Sequence, residues 1–403
     1  MTEILTTTRG ARDLPRWFQP AFATLCRLRA GRIDVVLPDG RTFRAEGGEP
    51  GPAAKLLVWN DSVFGRVLRD GDLGFAEAYM DGWWDTPDLQ TLLDVLMRSN
   101  NEVARALPGL GLIRAYERLR HRLRDNSKAQ AARNIQAHYD LGNRFYATWL
   151  DETMTYSSAL FEAEGEDLAA AQARKYDALC DKIELKPEQH VLEIGCGWGG
   201  FAEHAARRGA RVTALTISPA QLEYARERIF RAGLAERVDI ALRDYRDEAG
   251  RFDAIASIEM FEAVGERWWP TYFSAVRDRL EPGGRASIQT ITVPDRLFEG
   301  YKRSVDFIQK YIFPGGMLPS PGAFEREAAS AGLDVTGNHS FGQSYSDTLR
   351  RWHAAFNERW EDIQPLGFDE RFQRMWNYYL TSCAAAFQSG ITDVAQFSVV
   401  RRA

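Results

Sequence analysis

Long apolar runs are missing from this chain of 403 residues, and no segment approaches the roughly 18 apolar residues that a membrane-crossing helix needs. The N-terminus, MTEILTTTRGARDLP, has no basic segment followed by an apolar core, so a secretory signal is not expected. Cysteine is scarce. Cys26, Cys180, Cys196 and Cys383 form no C-x-x-C pair and no zinc spacing, which points away from a metal centre or disulfide framework and toward reduced thiols in the cytoplasm. Basic charge is not in excess either. At a net charge of −5 there is no global nucleic-acid footprint, and any attraction to an anionic surface must be local. The apolar fraction, 45%, is ample for a packed core, and the length suits one large domain with a smaller companion.

What the chain does have is a glycine cluster. In HVLEIGCGWGGF, residues 190–201, Val191 to Ile194 read as a short buried strand. Gly195, Gly197, Gly199 and Gly200 follow, and the segment from Phe201 reads as a helix. Strand, glycine turn and helix bring backbone N–H groups close to a ligand with no Cβ in the way. G-x-G alone is shared with dinucleotide folds. Glu193, two residues before the first glycine, completes E-x-G-x-G-x-G and favours S-adenosylmethionine.

The following segments alternate strand and helix. A second strand at 210–218 ends near Thr216, Ser218 and Gln221, the polar candidates where related folds often place a ribose-binding acid. A third at 237–242 runs into Asp244-Tyr245-Arg246-Asp247, suited to the adenine end. A fourth at 252–258 delivers Glu259 and Glu262 to the carboxyl edge of the sheet. A helix at 269–280 and a fifth strand at 285–293 complete a doubly wound α/β sheet with its ligand at that edge. Residues 294–322 then break the rhythm with aromatic and Pro-Gly sequence, as an active-site cover does. Helices at 345–356 and 368–387 follow, and 393–400 is expected to close the sheet.

Upstream, residues 1–113 form an α+β accessory domain, with a hairpin signal at Pro38–Arg41, strands at 53–58 and 62–68, and a helical pattern from Gly71. Lipid carriage, a role in dimer formation and a purely structural role all remain open for it. Residues 114–136 are a basic linker, either a solvated helix face or a strip that docks on anionic headgroups. The catalytic domain spans 137–403 and opens with the aromatic, polar stretch 138–161, before a helix at 168–183.

Taken together, TYSSALF (155–161), VLEIGCGWGG (191–200), DYRD (244–247), SIEMFEAVGE (257–266), FIQKYIFPGGMLPS (307–320) and YYLTSCAAAF (378–387) resemble the cyclopropane-fatty-acyl-phospholipid synthase family, which includes mycolic acid and fatty-acyl methyltransferases. The resemblance spans nearly the whole chain. It implies a class I S-adenosylmethionine-dependent methyltransferase whose cofactor is held by Tyr156, Ser157, Glu193, Gly195, Cys196, Gly197, Gly199, Thr216, Ser218, Gln221, Asp244, Tyr245 and Arg246, with Glu259 beside them. It also implies a bicarbonate ion held by a cysteine, a glutamate, a histidine, an isoleucine backbone and a tyrosine. Glu262, Ile291 and Tyr345 match, but Ser158 stands at the cysteine position and Gln289 at the histidine position. Glu259 stands where cyclopropane synthases carry glycine; a carboxylate there either positions the cofactor or repels an anion. Cys383 lies in a block whose cysteine has been regarded as an active-site residue, against which stands a buried core thiol.

The implied reaction is methylation of a cis double bond in an acyl chain of a membrane phospholipid, met by a cytoplasmic protein peripheral to the inner face of the membrane, as a homodimer. An alkene is a weak nucleophile, so the site must be dry and oriented. Aromatic faces at Tyr156, Phe161, Tyr311, Phe313 and Tyr345 would stabilise the resulting cation. Glu262 is the leading catalytic candidate, with Tyr345 as a hydrogen-bond donor. The product is a cyclopropane or a methyl or methylene branch, and the altered anion site tilts the expectation to the branch. Methylation of a soluble small molecule and a catalytically silent lipid-binding protein are the alternatives.

Overall fold

The structure, a computed structural model, describes residues 4–99, 141–303 and 305–402. The basic linker at 114–136, His138 and the domain boundary drawn at 113 lie outside the described residues. The N-terminal part contains β1 (Ile4–Leu5), α1 (Phe18–Leu25), β2 (Ala30–Val36), β3 (Thr42–Glu46), β4 (Glu49–Val58), α2 (Ser62–Met80), β5 (Trp84–Asp85) and α3 (Leu89–Arg98). Its sheet runs β1-β3-β2-β4-β5. The Pro38–Arg41 turn joins β2 to β3 as an antiparallel pair, with Val36 opposite Thr42.

The expected strand at 62–68 is the first half of a helix. Val63, Phe64 and Val67 share a helical face, and the Asn60 Oδ1 accepts from the Ser62 N–H to turn the chain into α2. The helix then breaks at Gly71, whose φ of 63° and ψ of −140° suit glycine.

The second part contains α4 (Asn143–Trp149), α5 (Leu168–Lys182), β6 (His190–Ile194), α6 (Gly200–Arg207), β7 (Arg211–Thr216), α7 (Pro219–Arg231), β8 (Val238–Leu242), β9 (Phe252–Ile258), α8 (Trp269–Arg279) and β10 (Leu280–Thr292). After these come α9 (Asp295–Tyr301), a π turn (Ile308–Ile312), α10 (Pro321–Ser330), β11 (Leu333–Ser340), α11 (Gly342–Glu358), α12 (Glu370–Gln388) and β12 (Asp393–Arg401). The strand order is β11-β12-β10-β9-β6-β7-β8. Strands β6 to β10 are parallel, and β12 is antiparallel to both its neighbours.

One sequence expectation is overturned by the strand order. Strand β12 does not close the sheet, because β11 lies outside it. β11 escapes sequence reading because only Leu333 of LDVTGNHS is buried, so the edge strand carries almost no apolar alternation. The 294–322 insertion, which breaks the βα rhythm as expected, contains α9 and the π turn.

One apolar core spans both parts, joining Phe18, Val35 and Leu92 to Trp352, Trp376 and Phe356. The seam also carries polar contacts, among them those made by Arg374 of α12. Its guanidinium donates to the carbonyls of Tyr79 (2.5 Å) and Trp84 (2.8 Å) and lies 4.0 Å above the Tyr79 ring. Substituting Arg374→Met leaves two carbonyls without these donors, at a cost of about 2–4 kcal/mol. A lower melting temperature with unchanged far-ultraviolet circular dichroism is the expected result.

Candidate active site

The glycine turn lies between β6 and α6, with β7 on one side of β6 and β9 on the other. This is the switch point where doubly wound sheets bind ligand. Gly195 (φ 84°) and Gly199 (φ 83°) hold left-handed backbone, and a Cβ on Gly195 would meet the Met260 side chain at 2.7 Å. Beneath the turn, Glu193 is buried and accepts from the Ala202 N–H at the start of α6. Burial pushes its carboxyl up to about 8, opposed by Arg228.

A cavity of about 890 Å³ opens over this turn. Tyr156, Ser157, Glu193, Gly195, Cys196, Gly197, Thr216, Gln221, Asp244, Tyr245, Arg246 and Glu259 of the expected cofactor set line it. Gly199 and Ser218 do not: Gly199 shapes the N-terminus of α6, and the Ser218 hydroxyl caps α7 by accepting from the Gln221 N–H. Asp244 forms a bidentate pair with Arg246 at the cavity edge. A close-backed glycine cradle with polar groups at the ends of β7 and β8 fits S-adenosylmethionine.

The catalytic candidates are arranged around Glu259 rather than Glu262. The Glu259 Oε1 accepts from the Ser158 N–H (2.9 Å) and Gln289 Nε2 (2.8 Å), while Oε2 accepts from the Tyr345 hydroxyl (2.6 Å). Expected beside the cofactor, Glu259 lines that cavity, and its carboxylate gathers three donors. Its backbone is left-handed (φ 50°), which explains why glycine suits this position and why glutamate is strained by about 1–2 kcal/mol. Burial pushes its carboxyl up, while Tyr345, Lys175, Ser158 and Gln289 pull it back.

Ser158 and Gln289 are fully buried behind Glu259 and do not reach the cavity, so neither touches a ligand there. The Ser158 hydroxyl donates to the Ala159 carbonyl, leaving only its N–H for Glu259. Gln396 of β12 donates to Gln289 Oε1 (3.1 Å), which fixes the Gln289 amide with its NH₂ toward Glu259. Glu262 lines the cavity next to Glu259. Its Oε1 accepts from the Ile291 N–H (2.5 Å), and its Oε2 is buried with no hydrogen-bond partner among the described residues. Burial, then the neighbouring Glu259, pushes its carboxyl up to about 8.

Tyr156, Phe313 and Tyr345 line the cavity with Tyr378, Tyr379 and Phe307, but two expected aromatics do not. Tyr311 turns away and donates to Glu77 of α2, and Phe161 lies under the Arg351 guanidinium. Cys383 faces the cavity, with burial pushing its thiol well up and Asp306 adding to it, so it holds its proton.

Lys175 escaped the sequence reading. It is fully buried on α5, donating to Ser157 Oγ (2.7 Å) and Gln172 Oε1 (2.6 Å). Burial pulls its ammonium down to about 7 against Glu259, Asp151 and Glu193. Nothing in AQARKYD distinguishes it from an ordinary solvated lysine.

This strand order with a glycine cradle at its switch point defines a class I S-adenosylmethionine-dependent methyltransferase. The profile of the mycolic acid cyclopropane synthetase family matches residues 126–397, and the chain belongs to that family. The tuberculostearic acid methyltransferase UfaA1 of Mycobacterium tuberculosis is 43% identical, covering 92% of this chain and 88% of its own length. The cyclopropane-fatty-acyl-phospholipid synthase of Escherichia coli (strain K12) is 36% identical, covering 86% and 87%. Among solved structures, the mycolic acid cyclopropane synthase CmaA1 complexed with SAH and CTAB superposes with a TM-score of 0.63 at 32% identity, over 67% of this chain and 98% of that one. The chain is therefore an S-adenosylmethionine-dependent C-methyltransferase of the cyclopropane-synthase type.

The two raised carboxyls give stability a pH slope. From a usual value of 4.5, Glu193 and Glu262 both rise to about 8, so between those values the folded chain holds protons that the unfolded chain has released. Their contribution is complete below the lower value and is lost as pH rises through the upper one. The melting temperature of the ligand-free protein falls across this window, and Glu262→Gln flattens the fall. A second expectation concerns the thiol: Cys383→Ala retains turnover within about threefold, because a protonated, buried sulfur offers no nucleophile.

Proposed function

We propose that this methyltransferase acts on a cis double bond in the acyl chain of a membrane phospholipid and produces a methyl or methylene branch. The observation that carries the choice of product is the Glu259 carboxylate. The donors that the family resemblance assigns to bicarbonate, at Ser158, Gln289 and Tyr345, are already bonded to a carboxylate of the chain itself. These residues do not fit a bicarbonate ion. The relative named for tuberculostearic acid favours the same product, while the Escherichia coli relative supports the phospholipid substrate.

S-adenosylmethionine, when bound, supplies a methyl group made electrophilic by its sulfonium. The alkene π pair forms the new carbon–carbon bond, the carbon–sulfur pair stays on sulfur, and a positive charge is left on the acyl chain. Aromatic walls at Tyr156, Phe313, Tyr345 and Tyr379 hold that charge by roughly 0.5–2 kcal/mol each in a dry site. A hydride shift moves the charge onto the methylated carbon. Glu259 Oε2, the oxygen with one donor, then takes a proton from a neighbouring carbon, and the released C–H pair closes a new double bond. Tyr345 keeps its hydroxyl proton throughout, since burial and then Glu259 push its phenol well up. Lys175 supplies positive charge behind Glu259 and favours its ionised form. Glu262 stays protonated beside it, so the adjacent carboxyls divide into base and neutral neighbour.

No helix among the described residues is long and apolar enough to cross a membrane. The contact with lipid that we propose is peripheral, on the cytoplasmic face, and this and the homodimer are carried over from the family resemblance.

The test uses S-adenosylmethionine with a trideuterated methyl and vesicles of monounsaturated phosphatidylglycerol. Retention of all three deuteriums in the lipid product is expected for proton loss from the chain, and NMR identifies a methylene branch if one deuterium is lost. A cyclopropane signal overturns the product assignment. No labelled lipid, with cofactor still bound, overturns the lipid reading and favours a soluble substrate. Glu259→Gln should lower turnover at least about 100-fold without weakening cofactor binding. Glu259→Gly restores the residue that the left-handed backbone prefers, and added bicarbonate should then rescue turnover.

A further inference from the structure

The cavity does not end at the catalytic sheet. Past Phe307 and Tyr378, whose rings meet at 4.9 Å, the same enclosure of about 890 Å³ continues between α1, α2 and α3 of the N-terminal part. Leu25, Val67, Leu73, Leu92, Leu96 and Met97 line this extension. All but Leu92 pack on the apolar core yet remain only partly buried, so their uncovered faces front the cavity.

Most of the polar lining of the extension is engaged. The Thr24 hydroxyl donates to the Pro20 carbonyl and the Asp70 carboxylate pairs with Arg69, while Asp72, exposed beside the break at Gly71, lies close enough to Asp306 and Tyr378 to add to the upward push that burial gives both. Water confined here would find few partners, whereas a hydrocarbon would find many. Helix α2 breaks at Gly71 where it passes the cavity, so the interruption belongs to the wall rather than to a loop.

A double bond in mid-chain leaves two hydrocarbon arms when it is held at Glu259. One runs toward the headgroup; the other needs a dry space continuous with the active site. We infer that the N-terminal part is the receptacle for the methyl-terminal arm of the acyl chain, and that the reach between α1, α2 and α3 selects which chain lengths are methylated. This rests on the lipid reading above and gives the N-terminal part a place in substrate selection.

The experiment is a competition within single vesicles of phosphatidylglycerol carrying myristoleoyl, palmitoleoyl and oleoyl chains in equal amounts. These share one double-bond position counted from the carboxyl end and differ only in the arm beyond it. Product ratios by mass spectrometry are independent of how much of a variant is folded. Leu96→Trp shortens the receptacle and should lower the oleoyl-to-myristoleoyl product ratio by roughly tenfold, the scale of forcing a side chain into a filled apolar space. Leu96→Ala lengthens it and should raise that ratio, with S-adenosylmethionine affinity unchanged in both variants. Ratios equal to wild type in both variants overturn the inference and assign the extension to another occupant, such as the lipid's second chain. If the wild-type protein labels none of the three chains, the lipid reading itself has failed.

Discussion

The site depends on one buried carboxylate. Glu259 leaves the end of β9 in a strained left-handed conformation and is tied to three distant parts of the chain. These are the segment before α5 through Ser158, the strand β10 through Gln289 and the helix α11 through Tyr345. A carboxylate in such a place is costly unless its lone pairs are used. Three donors and the nearby Lys175 ammonium meet that need, so the same bonds that make the charge tolerable fix the walls of the active site. Met260, the next residue, packs against Gly195 and so links this carboxylate to the glycine cradle.

A second constraint joins the N-terminal part to the cavity wall. Helix α12 carries Tyr379 and Cys383 on the cavity wall, and it also carries Tyr378, against Tyr79, and Arg374, which grips the end of α2. The insertion makes the reciprocal contact: Lys310 and Tyr311 both donate to Glu77 of α2. Burial pushes the Glu77 carboxyl up, but Lys310, Tyr311 and Arg66 outweigh it and hold it below the usual range. The cover of the active site is thus anchored on the N-terminal part, so the two parts act on one enclosure.

Much of the fold was legible because its signals are local. The glycine turn, the β6–β10 alternation and the placement of Glu259 and Glu262 at the carboxyl edge follow from short apolar runs and turn chemistry. Reading failed where packing overrides pattern. The helix at 62–80 looked like strand over its first turns because its apolar residues are dense. β11 was missed because an exposed edge strand needs little apolar sequence. Tyr311 and Phe161 were expected around the reacting chain because they are aromatic and lie in the family blocks, while their directions are set by Glu77 and Arg351.

The sequence by itself determined the cradle, the sheet that presents it and the family chemistry, since each rests on residues close together in the chain or on blocks readable in order. Only the tertiary structure decided that Ser158, Gln289 and Tyr345 all face Glu259, that Lys175 is buried behind it and that the N-terminal part is hollow toward the active site. These depend on the register of β10 against β9 and β12 and on how α11 and α12 cross the sheet. The Ser158 and Tyr345 contacts with Glu259 span separations of 101 and 86 residues. Convergence over such distances is set by packing rather than by any local pattern.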